Sequence, residues 1–135
     1  MTSAVIDTKC LLVSLNAKSH YYRLYELFAA EAFNWVLSNE ILTEYTQVLT
    51  RHYSASTANR VLEILVAAAN ILHQEAYYKW QLITDDPDDN KFVDVAIAAG
   101  AAYLVMNDRH FQLLLQPEFP RVPLLTLQAF LAAMS

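Results

Sequence analysis

The 135-residue chain has one glycine, Gly100, and one cysteine, Cys10. So little glycine excludes the glycine-rich loops that cradle nucleotide phosphates, which need several backbone positions without a Cβ. One cysteine excludes an internal disulfide framework, and Cys10, His20, His52, His73 and His110 are too scattered for zinc-ligand spacing. Positive charge is also scarce, with 9 Lys and Arg against 14 Asp and Glu, a net charge of −5. That balance excludes a protein that coats nucleic acid electrostatically; any nucleic-acid contact has to be local or helped by bound cations. No apolar run reaches the roughly 18 residues of a membrane span, and the amino terminus lacks a basic region followed by an apolar one. The expectation is a soluble, cytoplasmic protein with no membrane partner.

What the chain has in quantity is apolar surface: 56% of its residues are hydrophobic, enough for a sizeable core in one domain over residues 1–135. Ala4-Val5-Ile6, Phe33 to Leu37, Tyr103 to Met106 and Val122 to Leu125 are short, continuous apolar runs, the pattern of strands buried on both faces. Helical periodicity covers Tyr21–Ala30, Glu40–Arg51, Ser56–Ile71, Asn90–Ala99, Arg109–Leu115 and Leu127–Ala133, with Ser38 and Thr126 placed as caps. After Ile6 and Asp7 the spacing reads as a turn running into Leu11-Leu12-Val13. Strands alternating with helices predict an α/β fold, a three-layer α/β/α sandwich around a central, mainly parallel sheet.

Four acids occupy positions where acids are costly. Asp7 directly follows the first strand and Asp108 follows the third. In a parallel sheet both fall on the carboxyl edge, where such folds place their ligand sites. Each has a plainer reading as a turn residue or helix cap, and their coincidence is more informative than either alone. Asp89 opens a helix in which Phe92, Val93, Ala96 and Gly100 all fall within roughly 60° of it, so it points along the apolar face. Asp94 lies about 140° away on the same wheel and reads as a solvated surface acid. Glu44 sits on the border of the stripe formed by Ile41, Leu42, Tyr45, Val48 and Leu49. Carboxylates brought together repel unless a cation lies among them, and hard oxygen donors suit magnesium or manganese. Such ions activate water and stabilise the charge of phosphodiester hydrolysis. The residues thus read as a metal-dependent phosphoryl-transfer site.

Taken in order, Asp7-Thr8, Ser38-Asn39-Glu40-Ile41-Leu42-Thr43-Glu44, Asp86-Pro87-Asp88-Asp89-Asn90-Lys91-Phe92 and Leu104-Val105-Met106-Asn107-Asp108 resemble the PIN-domain family, and within it the toxin branch. The resemblance implies a Mg²⁺- or Mn²⁺-dependent endoribonuclease, the toxin of a VapBC-type toxin–antitoxin pair, with RNA as substrate and an antitoxin protein as partner. It places the catalytic and metal-binding roles on Asp7, Glu44, Asp89 and Asp108. Lys9 stands where the family usually has asparagine, Met106 where it has threonine or serine, and His110 where a further aspartate is common. With Thr8, these form the shell that modulates the acids; Lys9 is expected beside Asp7, its ammonium paired with a carboxylate. The departures leave open a second reading, a PIN fold with a weakened site that binds RNA or a partner protein without cutting.

Lys18, His20 and Arg23 form a small basic spot, with Lys18 and Arg23 as candidate phosphate contacts against the plainer reading of a solvated face. Tyr21, Tyr22, Tyr25 and Trp35, aromatic and able to lie at the surface, predict a homodimer burying an apolar patch. Asp7-Thr8-Lys9 does not fit the phosphatases that use a nucleophilic aspartate, which need a second aspartate at position 9.

Overall fold

The structure is a computed structural model that describes residues 2–83, 87–107 and 123–134. Among the described residues five strands form one parallel sheet in the order β3-β2-β1-β4-β5: β1 (Ser3–Ile6), β2 (Asn34–Leu37), β3 (Ile71–His73), β4 (Tyr103–Val105) and β5 (Leu124–Leu125). Helices α1 (Thr8–Ser14), α2 (Arg23–Ala29), α3 (Asn39–His52), α4 (Ala55–Ala67), α5 (Asn90–Ala99) and α6 (Leu127–Ala133) flank it in a three-layer α/β/α arrangement. The three residues Ala4, Val5 and Ile6 of β1 are all fully buried, as are or nearly are Trp35, Val36 and Leu37 of β2. Continuous apolar runs are what a strand covered on both faces requires.

The order of the strands fixes where a site can be. From β1 the chain builds outward through β2 to β3, then returns to lay β4 on the other side of β1. The carboxyl ends of β1 and β4 therefore flank the point where the direction of winding reverses, and there the connections diverge and leave a crevice.

Three expectations are corrected. The segment after Asp7 is not a turn into a further apolar run but α1 itself, starting at Thr8 with Asp7 as its cap, because the Asp7 carboxylate accepts from the Cys10 amide at 2.9 Å. The helix expected over Ser56–Ile71 ends at Ala67, and Ile71 begins an edge strand. There the buried Asn70 donates from Nδ2 to the carbonyls of Phe28 (3.0 Å) and Phe33 (2.8 Å), while its own carbonyl accepts from Trp35 N (2.9 Å). The Phe28 carbonyl also accepts from Glu31 N (3.0 Å), so the Asn70 amide adds a further bond there and ties the chain after α4 to the turn between α2 and β2, while the backbone at Ala68 is already extended. Trp35, counted toward a dimer surface, is 2% exposed and lies in the core against Phe28, Phe33 and Tyr45.

Ser38 and Thr126 cap α3 and α6 as the sequence predicts. The one glycine ends α5 at φ +58°, a left-handed conformation that favours a residue without a Cβ. No helix among the described residues is long and apolar enough to cross a membrane.

Candidate active site

At the carboxyl edge of the sheet a cleft of about 290 Å³ is lined by Asp7, Thr8, Lys9, Glu44, Asp88 and Asp89, with Arg51 and His52 on its rim. Each acid arrives by a different route. Asp7 is delivered by β1 and held by its amide, which donates to the Val105 carbonyl at the end of β4 (3.0 Å). It is 4% exposed. Glu44 comes from α3, which is bolted to the same point: the fully buried Tyr45 hydroxyl donates to the Ile6 carbonyl and accepts from Trp35 Nε1 at 3.3 Å. A helix residue next to that bolt has little freedom, so Glu44 meets Thr8, whose hydroxyl donates to Glu44 Oε2. Asp89 stands at the amino end of α5 with its Oδ2 shut off from solvent.

Asp108, the fourth acid, and His110 lie outside the described residues, as does the helix expected over Arg109–Leu115. Their neighbour Met106 is fully buried, its amide donating to Leu125 O (3.1 Å). Asn107 accepts from the Leu127 amide through Oδ1 at 2.9 Å, so the end of β4 is tied to the start of α6.

The cation that compensates the acids differs from the expectation. Lys9 is exposed on the cleft wall and makes no ion pair among the described residues. Lys91 makes it instead, with Nζ 2.7 Å from Glu44 Oε1 and both side chains largely buried. On the helical wheel Lys91 lies about 160° from Asp89 and reads as a surface residue; the packing of α5 against α3 brings it to Glu44, and the sequence carries no local signal of it. Lys18 and Arg23 are exposed and are not among the residues lining the cleft. They follow α1, whose seven residues carry the chain roughly 10 Å from Asp7. Arg51 and His52 also line the cleft, and the sequence, which puts Arg51 at the end of a helical pattern and His52 just beyond it, carries no sign that either meets the acids.

Asp94 is also corrected. It is 6% exposed and not solvated, because the chain between β3 and α5 packs over it and Trp80 N donates to its Oδ1 (3.1 Å). Burial raises its carboxyl above the usual carboxylate range. The Cys10 thiol is raised likewise, first by burial and then by the charge of Asp7, which leaves it an inert core residue.

Carboxylate oxygens are the right donors for Mg²⁺ or Mn²⁺. Among the described residues, however, no three acids, histidines or cysteines converge closely enough to hold an ion, and Glu44 is engaged by Thr8 and Lys91. By chemistry the set fits a hard divalent cation; a complete ligand shell would draw Glu44 away from Lys91.

The PIN domain family model matches residues 3–110, and the chain belongs to that family. Among solved structures it is similar to VapBC2 of Rickettsia felis, solved bound to a DNA fragment from their promoter, with a TM-score of 0.65 at 20% identity over 93% of this chain and 98% of that one. It is also similar to VapC20 of Mycobacterium tuberculosis, a sarcin–ricin-loop-cleaving toxin, with a TM-score of 0.60 at 15% identity over 81% of this chain and 92% of that one. At such identities the likeness carries the fold. No curated protein sequence matches the chain.

Proposed function

We propose that this PIN domain is a Mg²⁺- or Mn²⁺-dependent endoribonuclease and the toxin of a toxin–antitoxin pair. The observation that supports it is that Asp7, Glu44 and Asp89, delivered by a strand end and two helices, line one cleft at the reversal point of the sheet. Asp7, Glu44 and Asp89, with Asp108, would hold the ion, which when bound supplies an activated water and a counter-charge for the phosphate. Thr8 orients Glu44 through its hydroxyl, and Arg51, His52 and Lys9 on the walls are placed to meet phosphate oxygens. The toxin role draws on the two toxin structures whose fold it shares; an antitoxin and a second copy of the chain are the partners this role calls for.

The test is cleavage of single-stranded RNA during a Mn²⁺ titration. Asp7→Asn keeps an acceptor for the Cys10 amide and so keeps the cap of α1. We expect it to fold as the parent does and to cut more slowly by on the order of a hundredfold or more, the loss of a few kcal/mol of transition-state stabilisation. Unchanged cutting would remove Asp7 from the site. One observation favours the second reading, a module that binds RNA or a protein without cutting: Glu44 is neutralised by Lys91. That reading is upheld if Mn²⁺ elicits no cleavage while RNA still binds.

A further inference from the structure

Lys91 belongs to two clefts at once. Its ammonium pairs with Glu44 of the acid cleft, and the residue also lines a second cleft of about 390 Å³ together with Glu40, Lys79, Asn90 and Asp94. While Lys91 is held by Glu44, the two acids of the second cleft face a single cation, Lys79. Asp94 is the costlier of the two. It is 6% exposed, its Oδ1 accepts the Trp80 amide at 3.1 Å, and it makes no ion pair among the described residues. Burial is the main cause of its raised carboxyl; the Trp80 amide and Lys79 oppose that rise and Glu40 adds to it.

Helix geometry puts both sets of acids within reach of one ammonium. Lys91 and Asp94 are three residues apart on α5, about 60° on the helical wheel, so their side chains are neighbours on one face. Glu40 and Glu44 are four apart on α3, so a single turn separates the partner Lys91 has from the one it lacks. A lysine stem of four flexible carbons crosses such a gap by side-chain rotation, with both helices in place. Which side holds the ammonium is then a matter of charge. In the metal-free protein Glu44 offers a short, largely buried pair. A divalent cation among the acids repels a neighbouring ammonium and takes the Glu44 oxygens for itself, which leaves the acids of the second cleft as the better partners.

We propose that Lys91 is a two-position counter-ion, resting on Glu44 in the metal-free protein and on Asp94 and Glu40 when a divalent cation takes Glu44. The move couples the acid cleft to the chain between β3 and α5, because the Trp80 amide shares the Asp94 carboxylate. The proposal rests on the nuclease reading for the cation, and requires that an ion binds rather than that RNA is cut. Its competitor is direct attraction between Asp94 and the ion, which needs no lysine.

The test is Mg²⁺ calorimetry on the whole protein with Asp94→Asn, Lys91→Gln and the two combined, a double-mutant cycle. Asparagine keeps an acceptor for Trp80 N. We expect Asp94→Asn to weaken Mg²⁺ binding about threefold in the parent, the size of a partly exposed ion pair, and to leave it unchanged in the Lys91→Gln background, where no ammonium has to be rehoused. Glu40→Gln, at an exposed position, should act in the same direction and repeats the test without touching a buried group. By NMR the Trp80 amide proton should shift on addition of Mg²⁺ to the parent and stay in place in Lys91→Gln. Equal weakening in both backgrounds assigns the effect to direct attraction and overturns the switch. So does an Asp94→Asn affinity equal to the parent's, or a Trp80 amide that stays put in the parent or moves alike in Lys91→Gln. If Mg²⁺ binds neither the parent nor Lys91→Gln, the nuclease reading falls and takes the switch with it; binding that ignores Asp94 removes the switch alone.

Discussion

Lys91 holds Glu44 at 2.7 Å, and Thr8 holds its other oxygen, so one carboxylate is committed twice before any cation arrives. Two unit charges about 4 Å apart at an effective dielectric of 20 attract by roughly 4 kcal/mol before desolvation is subtracted, enough to compete with a weakly held ion. Replacing the ammonium by an amide keeps a donor of similar reach and removes the competing charge. We expect Lys91→Gln to tighten Mn²⁺ binding about tenfold by calorimetry, about 1.4 kcal/mol. Equal or weaker binding would show that Lys91 supports the ion-bound state, as it would by meeting the phosphate. Lys9→Asn, by contrast, changes a residue without an ion pair among the described residues, and should move that affinity by less than threefold. Residue identity showed that a lysine would compensate the acids. Which lysine depends on how α5 is turned toward α3, and that orientation is set by Phe92 stacking on Tyr45, a tertiary contact across 47 residues of chain.

Elements were legible where one local signal decides them. Ser38 and Thr126 carry cap chemistry in the side chain itself, and the buried strands β1, β2 and β4 carry the unbroken apolar runs Ala4–Ile6, Trp35–Leu37 and Tyr103–Val105. The edge strand β3 was not legible because only one neighbour and part of one face cover it, leaving Leu72 and His73 exposed and its sequence indistinguishable from a helix end. The chain between β3 and α5 misled for the opposite reason: periodicity reports which face of a helix is apolar, and it is silent about a peptide that covers the polar face. Asp94 therefore stays buried and its proton is held to a higher pH than in the unfolded chain. A raised acid favours the fold below its unfolded value and stops doing so as pH climbs through the folded one. At pH 7 the ionised Asp94 is thus a net cost, while an asparagine keeps the acceptor for Trp80 N. We expect Asp94→Asn to raise the melting temperature by a few degrees at pH 7. The gain should shrink as pH falls through the carboxylate range, where the parent also holds the group neutral. A variant less stable than the parent at pH 7 would mean the charge, not the hydrogen bond, anchors the chain that carries Trp80.

At the scale of the whole molecule, a net charge of −5 has to be reconciled with an anionic ligand. The acid cleft itself carries Asp7, Glu44, Asp88 and Asp89, so a bound cation has to answer most of that charge, helped by a few basic side chains on the walls. Lys9 and Arg51 line it, while Lys91 is already spent on Glu44. Each phosphate neutralised on a single strand contributes about −0.7 to the slope of log affinity against log salt, so two contacts give about −1.4. That is a shallow dependence for a nucleic-acid ligand, and it follows from holding the chain by few charges. Titration of a single-stranded oligoadenylate between low and physiological salt, with chelator present, measures it directly. Lys9→Ala should flatten the slope by about 0.7 and weaken binding to every sequence alike, because a phosphate contact carries no base information. A parent slope steeper than about −4 would require roughly six phosphate contacts, more cations than the acid cleft presents, and would carry the RNA path beyond it.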